Sequence, residues 1–236
     1  MSHRTCLEDS RMINWLAYAQ RGATQVIKLY RFPYSCYALK VQYLLDKLQL
    51  DYKPIDVPYT DRTELVKLTG GHVTVPVIEH NDHVVVESRT ICQYLLNLVE
   101  NELVPKDKAA LIWAYADWCD STLEDLLFRI ATPGIASRFS TPFEQSLFAY
   151  IKERKFGSGC VEEWRNTQSD LIAKAGVLLE PTIEAISLNN YIAGATVSYA
   201  DVTLLGHLAM VEYGDPALIS EISDVLPQYM ERVRAA

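Results

Sequence analysis

Residues 26–57 read VIKLYRFPYSCYALKVQYLLDKLQLDYKPIDV, and the fold is decided here. Val26–Tyr30 is an apolar, β-branched run of strand length. Phe32-Pro33-Tyr34 breaks it, and from Ser35 the period becomes helical. Leu39, Val41, Tyr43–Leu45 and Leu48 fall near i, i+3/i+4, while Lys40, Gln42, Asp46 and Lys47 fill much of the opposite side. Tyr52–Val57 reads as a second strand. Strand, helix, strand in that order implies a right-handed parallel crossover.

Downstream, Thr60–Leu68 suits a second helix closed by Gly70-Gly71. Val75–Glu79 and Val84–Glu87 read as strands joined at His80-Asn81-Asp82-His83. Asn and Asp tolerate the positive φ of a tight turn, so these strands are expected to pair antiparallel. A helix follows from Ser88 to about Val99, completing βαβ then ββα. After Val104-Pro105 the periodicity is helical throughout: Asp107–Ile130 stopped by Thr132-Pro133-Gly134, then Phe143–Phe156, Val161–Leu188 with Pro181 inside it, Ala200–Val211, Pro216–Ile222 and Leu226–Val233. The expected organisation is an extension over 1–25, an α/β domain over 26–104 and an all-α domain over 105–236. Within the extension, Leu7–Gln20 reads either as a short helix or as a frayed tail.

The chain has 236 residues and a net charge of −8, which argues against non-specific nucleic-acid binding and against an anionic lipid surface. The five cysteines (Cys6, Cys36, Cys92, Cys119, Cys160) are scattered without CxxC spacing. Neither a zinc site, a dithiol motif nor a disulfide framework is expected, and no metal is assigned. A reducing, cytoplasmic setting fits, with neither signal peptide nor membrane span read from the sequence.

Four short constellations carry the chemistry. Ser35-Cys36-Tyr37 stands at a strand-to-helix junction, where free backbone N–H groups and the macrodipole favour an anion such as a thiolate. Ser35 reads there either as a helix N-cap or as a hydrogen-bond donor to a foreign thiolate; Cys36 is a resident thiol. Val75-Pro76 opens a strand, and a cis bond would turn the Val75 backbone outward to a peptide ligand. Glu87-Ser88 pairs an acid with an N-cap hydroxyl, the acceptor and anion nest that an α-amino acid end requires. Ser198 and Asp201 have capping-box spacing, with Val197 and Val202 as the staple, and read as folding code.

These pieces resemble the cytosolic glutathione transferase superfamily: Ser35-Cys36-Tyr37-Ala38-Leu39-Lys40-Val41, Val75-Pro76-Val77-Ile78, Glu87-Ser88-Arg89-Thr90-Ile91-Cys92-Gln93-Tyr94-Leu95, and the box at Gly194, Ser198, Ala200 and Asp201. The resemblance implies a thioredoxin-like first domain, a cis Val75–Pro76 bond, glutathione as co-substrate and a homodimer active in detoxification. It implies Ser35 as the catalytic hydroxyl, Val75 and Pro76 against the cysteinyl part of glutathione, and Glu87 and Ser88 at its γ-glutamyl end. The sequence departs from the pattern twice. Cys36 replaces the usual Pro after the catalytic position, and Gly70-Gly71-His72-Val73-Thr74 replaces the Lys-bearing segment before Val75-Pro76. Arg62 or His72 is then the candidate for the glycyl carboxylate.

Trp113, Tyr115 and Trp118 are candidates for the electrophile pocket, set against the plainer reading of helical core aromatics. Asp117 beside them would need partners if buried; Cys119 and Cys160 read as packing residues. Four functions share this framework: conjugation to a small hydrophobic electrophile, glutathione-dependent isomerisation or reduction, thiol transfer through Cys36, and non-catalytic binding.

Overall fold

The computed structural model describes residues 26–236, so the reading of Leu7–Gln20 lies outside the described residues. The first half holds β1 (Ile27–Arg31), α1 (Cys36–Lys47), β2 (Tyr52–Asp56), α2 (Thr63–Thr69), β3 (Val77–His80), β4 (His83–Val86) and α3 (Ser88–Leu96). The sheet order is β2-β1-β3-β4. β1 runs parallel to β2, with Ile27 opposite Tyr52, and antiparallel to β3, with Leu29 opposite Ile78. Asn81 and Asp82 turn the β3–β4 hairpin, at φ 49° and 64°, as a two-residue loop with positive φ requires. This is the expected thioredoxin-like arrangement. β3 begins at Val77 rather than Val75, directly after the cis Val75–Pro76 peptide.

The second half is helical: α4 (Ala109–Trp118), α5 (Glu124–Ser137), α6 (Pro142–Phe156), α7 (Cys160–Asn166), α8 (Gln168–Asn189), α9 (Tyr199–Gly214), α10 (Ala217–Ile222) and α11 (Val225–Ala235). Among the described residues, no helix is long and apolar enough to cross a membrane. Two expectations are corrected. The first long helix passes through Thr132-Pro133-Gly134 and is interrupted earlier, by a π turn over Cys119–Leu123. An interior Pro costs a helix about 3 kcal/mol; here Ile130, Ala131, Pro133 and Ile135 are all buried and offset it. Gly134 is required at this crossing, since a Cβ would stand 2.7 Å from the Gly214 carbonyl carbon. The second correction splits Val161–Leu188 into α7 and α8 at Thr167, while α8 runs on through Pro181.

Helix α1 is buried on both sides. Val41, Leu44 and Leu45 pack with Leu29 and Ile78 of the sheet, and the other side lies against α9. Lys40, expected on a polar face, is therefore fully buried. Its ammonium is 2.5 Å from Asp120 Oδ2, a residue that the π turn carries, and His207 of α9 lies 3.5 Å from Asp120 Oδ1. Tyr37 donates to the Asp120 carbonyl at 2.9 Å. Gly206 lets α9 approach: a Cβ there would be 2.7 Å from the Lys40 backbone nitrogen.

The capping box at the start of α9 forms as read. Asp201 is buried and accepts from the Ser198 amide at 2.9 Å, the Ser198 hydroxyl at 2.6 Å, the Ile192 amide at 2.9 Å and the Tyr229 hydroxyl at 2.9 Å. A carboxylate with four donors in the core ties three segments together.

Candidate functional site

The β1–α1 loop delivers Ser35 to the N-cap of α1, at φ −76° and ψ 117°, where its hydroxyl oxygen accepts from the Ala38 amide at 3.4 Å. A serine hydroxyl can accept and donate at once. Capping α1 thus leaves the Ser35 proton free for a second partner, and the two readings of this residue are compatible.

Ser35 lines a cavity of about 610 Å³, and so do Val75, Pro76, Glu87, Ser88, Arg62 and His72. Residues far apart in sequence converge there because β3 and the start of α3 sit beside the β1–α1 loop in the sheet. Ser88 is the first residue of α3 and not its cap, as the sequence suggested; Glu87 holds the cap position at φ 68° and ψ 117°. That is a rare backbone conformation for a residue with a Cβ, of the kind that gathers at ligand sites. It leaves the Glu87 carboxylate largely exposed beside the cavity, 4.0 Å from His72 Nε2. The His72 ring also meets the Thr74 hydroxyl at 2.7 Å. Arg62 donates to the Val73 carbonyl at 2.8 Å and lies over the Phe32 ring at 5.0 Å.

Cys36 borders the same cavity but is only 2% exposed. Burial, and then the nearby Glu124 charge, pushes its thiol well above the ordinary range. A thiol so placed is protonated at neutral pH and a poor nucleophile.

Trp113, Tyr115 and Trp118 do not line this cavity. Trp113 packs on Tyr199 with ring centroids 4.7 Å apart and borders a separate groove beside α3 and β4. Tyr115 bonds the Thr182 hydroxyl at 3.0 Å, and Trp118 packs on Tyr115 at 5.3 Å. Their face of α4 is used against α8 and α9, and the chain reaches the cavity only beyond the π turn. Asp117 is exposed and pairs with Arg89. The helical wall comes instead from Glu124 and Phe128 of α5 and from Phe148, Lys152, Lys155 and Phe156 of α6. The signal for these was the i, i+4, i+8 row Phe148, Lys152, Phe156, which places a lysine on an aromatic stripe.

A family model described as the glutathione S-transferase N-terminal domain matches residues 29–102. Comparison with curated proteins finds no match. Among solved structures, the glutathione transferase GSTFuA3 of Phanerochaete chrysosporium is 20% identical with a TM-score of 0.71, covering 90% of this chain and 98% of that one. CsGST63524 of Ceriporiopsis subvermispora, a glutathione S-transferase solved in complex with glutathione, is 20% identical with a TM-score of 0.72, over 89% and 98% of the two chains. The β-etherase LigF of Sphingobium is 20% identical with a TM-score of 0.62, over 90% and 96%. Residues 29–102 thus match a glutathione S-transferase N-terminal domain, and the chain shares the fold of the glutathione transferases it is compared with.

Proposed function

We propose that the protein is an enzyme that binds glutathione in the 610 Å³ cavity and transfers its thiolate to a small hydrophobic electrophile. The observation that carries this is the meeting, in one cavity, of a helix-start hydroxyl (Ser35), a strand-entry backbone (Val75) and an acid beside a helix start (Glu87-Ser88). The Ser35 hydroxyl donates to the thiolate, and the first-turn N–H groups of α1 add the positive end of the helix. Lowering a thiol from about 8.5 by two units needs about 2.7 kcal/mol, within reach of a hydrogen bond to a charged group plus a helix terminus. The thiol proton passes to solvent, the sulfur forms the new bond, and the leaving group departs with its electron pair.

Thiol transfer through Cys36 is disfavoured by its burial. Isomerisation or reduction would use the same glutathione subsite, and non-catalytic binding would use it without the reaction. The reading includes a division near residue 104 into a glutathione-binding domain and a helical domain. It also includes a homodimer. The described cysteines are all unpaired and buried, which suits a reducing cytoplasm.

Calorimetry tests the assignment. Glutathione is expected to bind, and Glu87→Ala to weaken it by about 1 kcal/mol, roughly fivefold, since a largely exposed acid is screened by water. Unchanged affinity would move the tripeptide elsewhere.

A further inference from the structure

The cavity is aromatic on its helical side and carries more cations than the glutathione assignment uses. Lys152, on α6, places its ammonium 4.6 Å from the Phe148 ring centre and 5.0 Å from that of Phe128. Lys155, one turn further on, lies 4.7 Å from the Phe156 ring. Neither lysine is in ion-pair contact with a carboxylate among the described residues. Glu124 of α5 borders the same space and is the acid nearest in effect, yet it forms no ion pair with either. Desolvation, then the neighbouring Lys155 and Arg62 charges, holds Lys152 down to about 8. An ammonium kept half out of water without a counter-ion is costly, and an arriving anion relieves that cost.

Two further groups in the same wall are unsatisfied. Tyr34 and Tyr59 bury hydroxyls that have no hydrogen-bond partner. Their rings close the cavity against Phe148, at 6.1 and 5.5 Å. Buried phenols are normally paired. Glutathione does not need these groups. In the reading above its two carboxylates fall to the Ser88 end of α3 and to Arg62 or His72, whereas Lys152 stands on α6 among the rings.

We propose that the electrophile taken by this site is an aromatic organic anion, a carboxylate on an apolar ring, and that Lys152 is the residue that selects it. The inference rests on the transferase reading and names its second substrate. The ring lies among Phe128, Phe148 and Phe156, the carboxylate meets Lys152, and the reacting carbon faces the sulfur at Ser35. In the test reaction the glutathione thiolate attacks a benzylic carbon; the C–S bond forms, the C–Cl bond breaks, and chloride leaves with the bonding pair.

The experiment compares 4-(chloromethyl)benzoate with its methyl ester, each corrected for its uncatalysed rate with glutathione. The wild type is expected to favour the acid in kcat/KM. Lys152→Gln should lower the acid-to-ester ratio about ten- to hundredfold, chiefly through KM for the acid. Lys152→Arg, which keeps the charge, should retain the ratio and control for folding. Equal handling of acid and ester by the wild type, or an unchanged ratio in Lys152→Gln, overturns the proposal. So does a loss of glutathione affinity in Lys152→Gln with the ratio intact, because the lysine would then hold the glycyl carboxylate and the transferase reading would stand. If the wild type binds no glutathione by calorimetry, both the proposal and the reading beneath it fall.

Discussion

Replacing Asp120 by Asn should destabilise the protein far more than its partial exposure suggests. The Lys40 ammonium is fully buried, and among the described residues its one carboxylate partner is Asp120 at 2.5 Å. The Tyr37 ring lies 5.5 Å from the ammonium and supplies no counter-charge. Breaking a buried ion pair by removing one member costs about 3–5 kcal/mol, since the surviving charge has no counter-ion. Replacing both members by apolar residues of similar size, Lys40→Met with Asp120→Leu, should cost much less, because the desolvation of two charges is removed along with their attraction. Urea unfolding followed by circular dichroism reads both variants. The midpoint shift, scaled by the urea dependence, should put Asp120→Asn about 3–5 kcal/mol below wild type and the double variant well above it. Activity at temperatures near the transition should follow, because Lys40 lies on the helix that Ser35 caps. A single variant within about 1 kcal/mol of wild type, or a double variant as unstable as the single, would refute the argument.

Gly206→Ala should destabilise by about 1–3 kcal/mol in spite of alanine's better helix propensity, as the new Cβ would meet backbone that has no rotamer to yield. The contacts at stake are 2.7 and 2.8 Å to the Lys40 nitrogen and Cα; a thermal midpoint equal to wild type would show that α9 can draw back from α1 freely. His207, fully buried between Asp120 and Lys40, is held down to about 4 from its ordinary 6.5, chiefly by burial. The unfolded chain takes up this proton first on acidification, so about 3 kcal/mol of stability present above pH 6.5 should be lost by pH 4. Unfolding free energies across that window should slope less in His207→Gln than in wild type, and equal slopes would assign the acid sensitivity elsewhere.

The first half of the chain was largely legible because its signals are local. The strand at Ile27–Arg31, the crossover helix and the Asn81-Asp82 hairpin each follow from period and turn chemistry, and they appear where expected. The helical half was legible in its ends and caps, less so in its breaks. Pro133 and Pro181 look like helix stops, but both lie inside packed helices, where burial outweighs local preference. The acid that needed a partner was Asp120, not Asp117; a π turn shifts the phase of the helix by part of a turn, and sequence period gives no warning of it. Lys40 reads as solvated until α9 is laid against α1. The residues proposed for glutathione were singled out through short motifs that bring their own backbone geometry, and they line one cavity. Phe148 and Lys152 were missed because α6 buries Phe148 alone, so its stripe is too thin to mark a wall.

The central claim is that Ser35, and not Cys36, handles the glutathione sulfur. The measurement is thiolate absorbance of bound glutathione against pH in wild type, Ser35→Ala and Cys36→Ala, with intact mass after exposure to oxidised glutathione. Ser35→Ala should raise the thiol pKa and cut the conjugation rate sharply. Cys36→Ala should leave the thiol pKa close to wild type, and wild-type Cys36 should carry no adduct, as its thiol is 2% exposed and held protonated. A silent Ser35→Ala together with an inactive Cys36→Ala and a glutathione adduct on wild-type Cys36 would contradict the account and make the protein a thiol transferase.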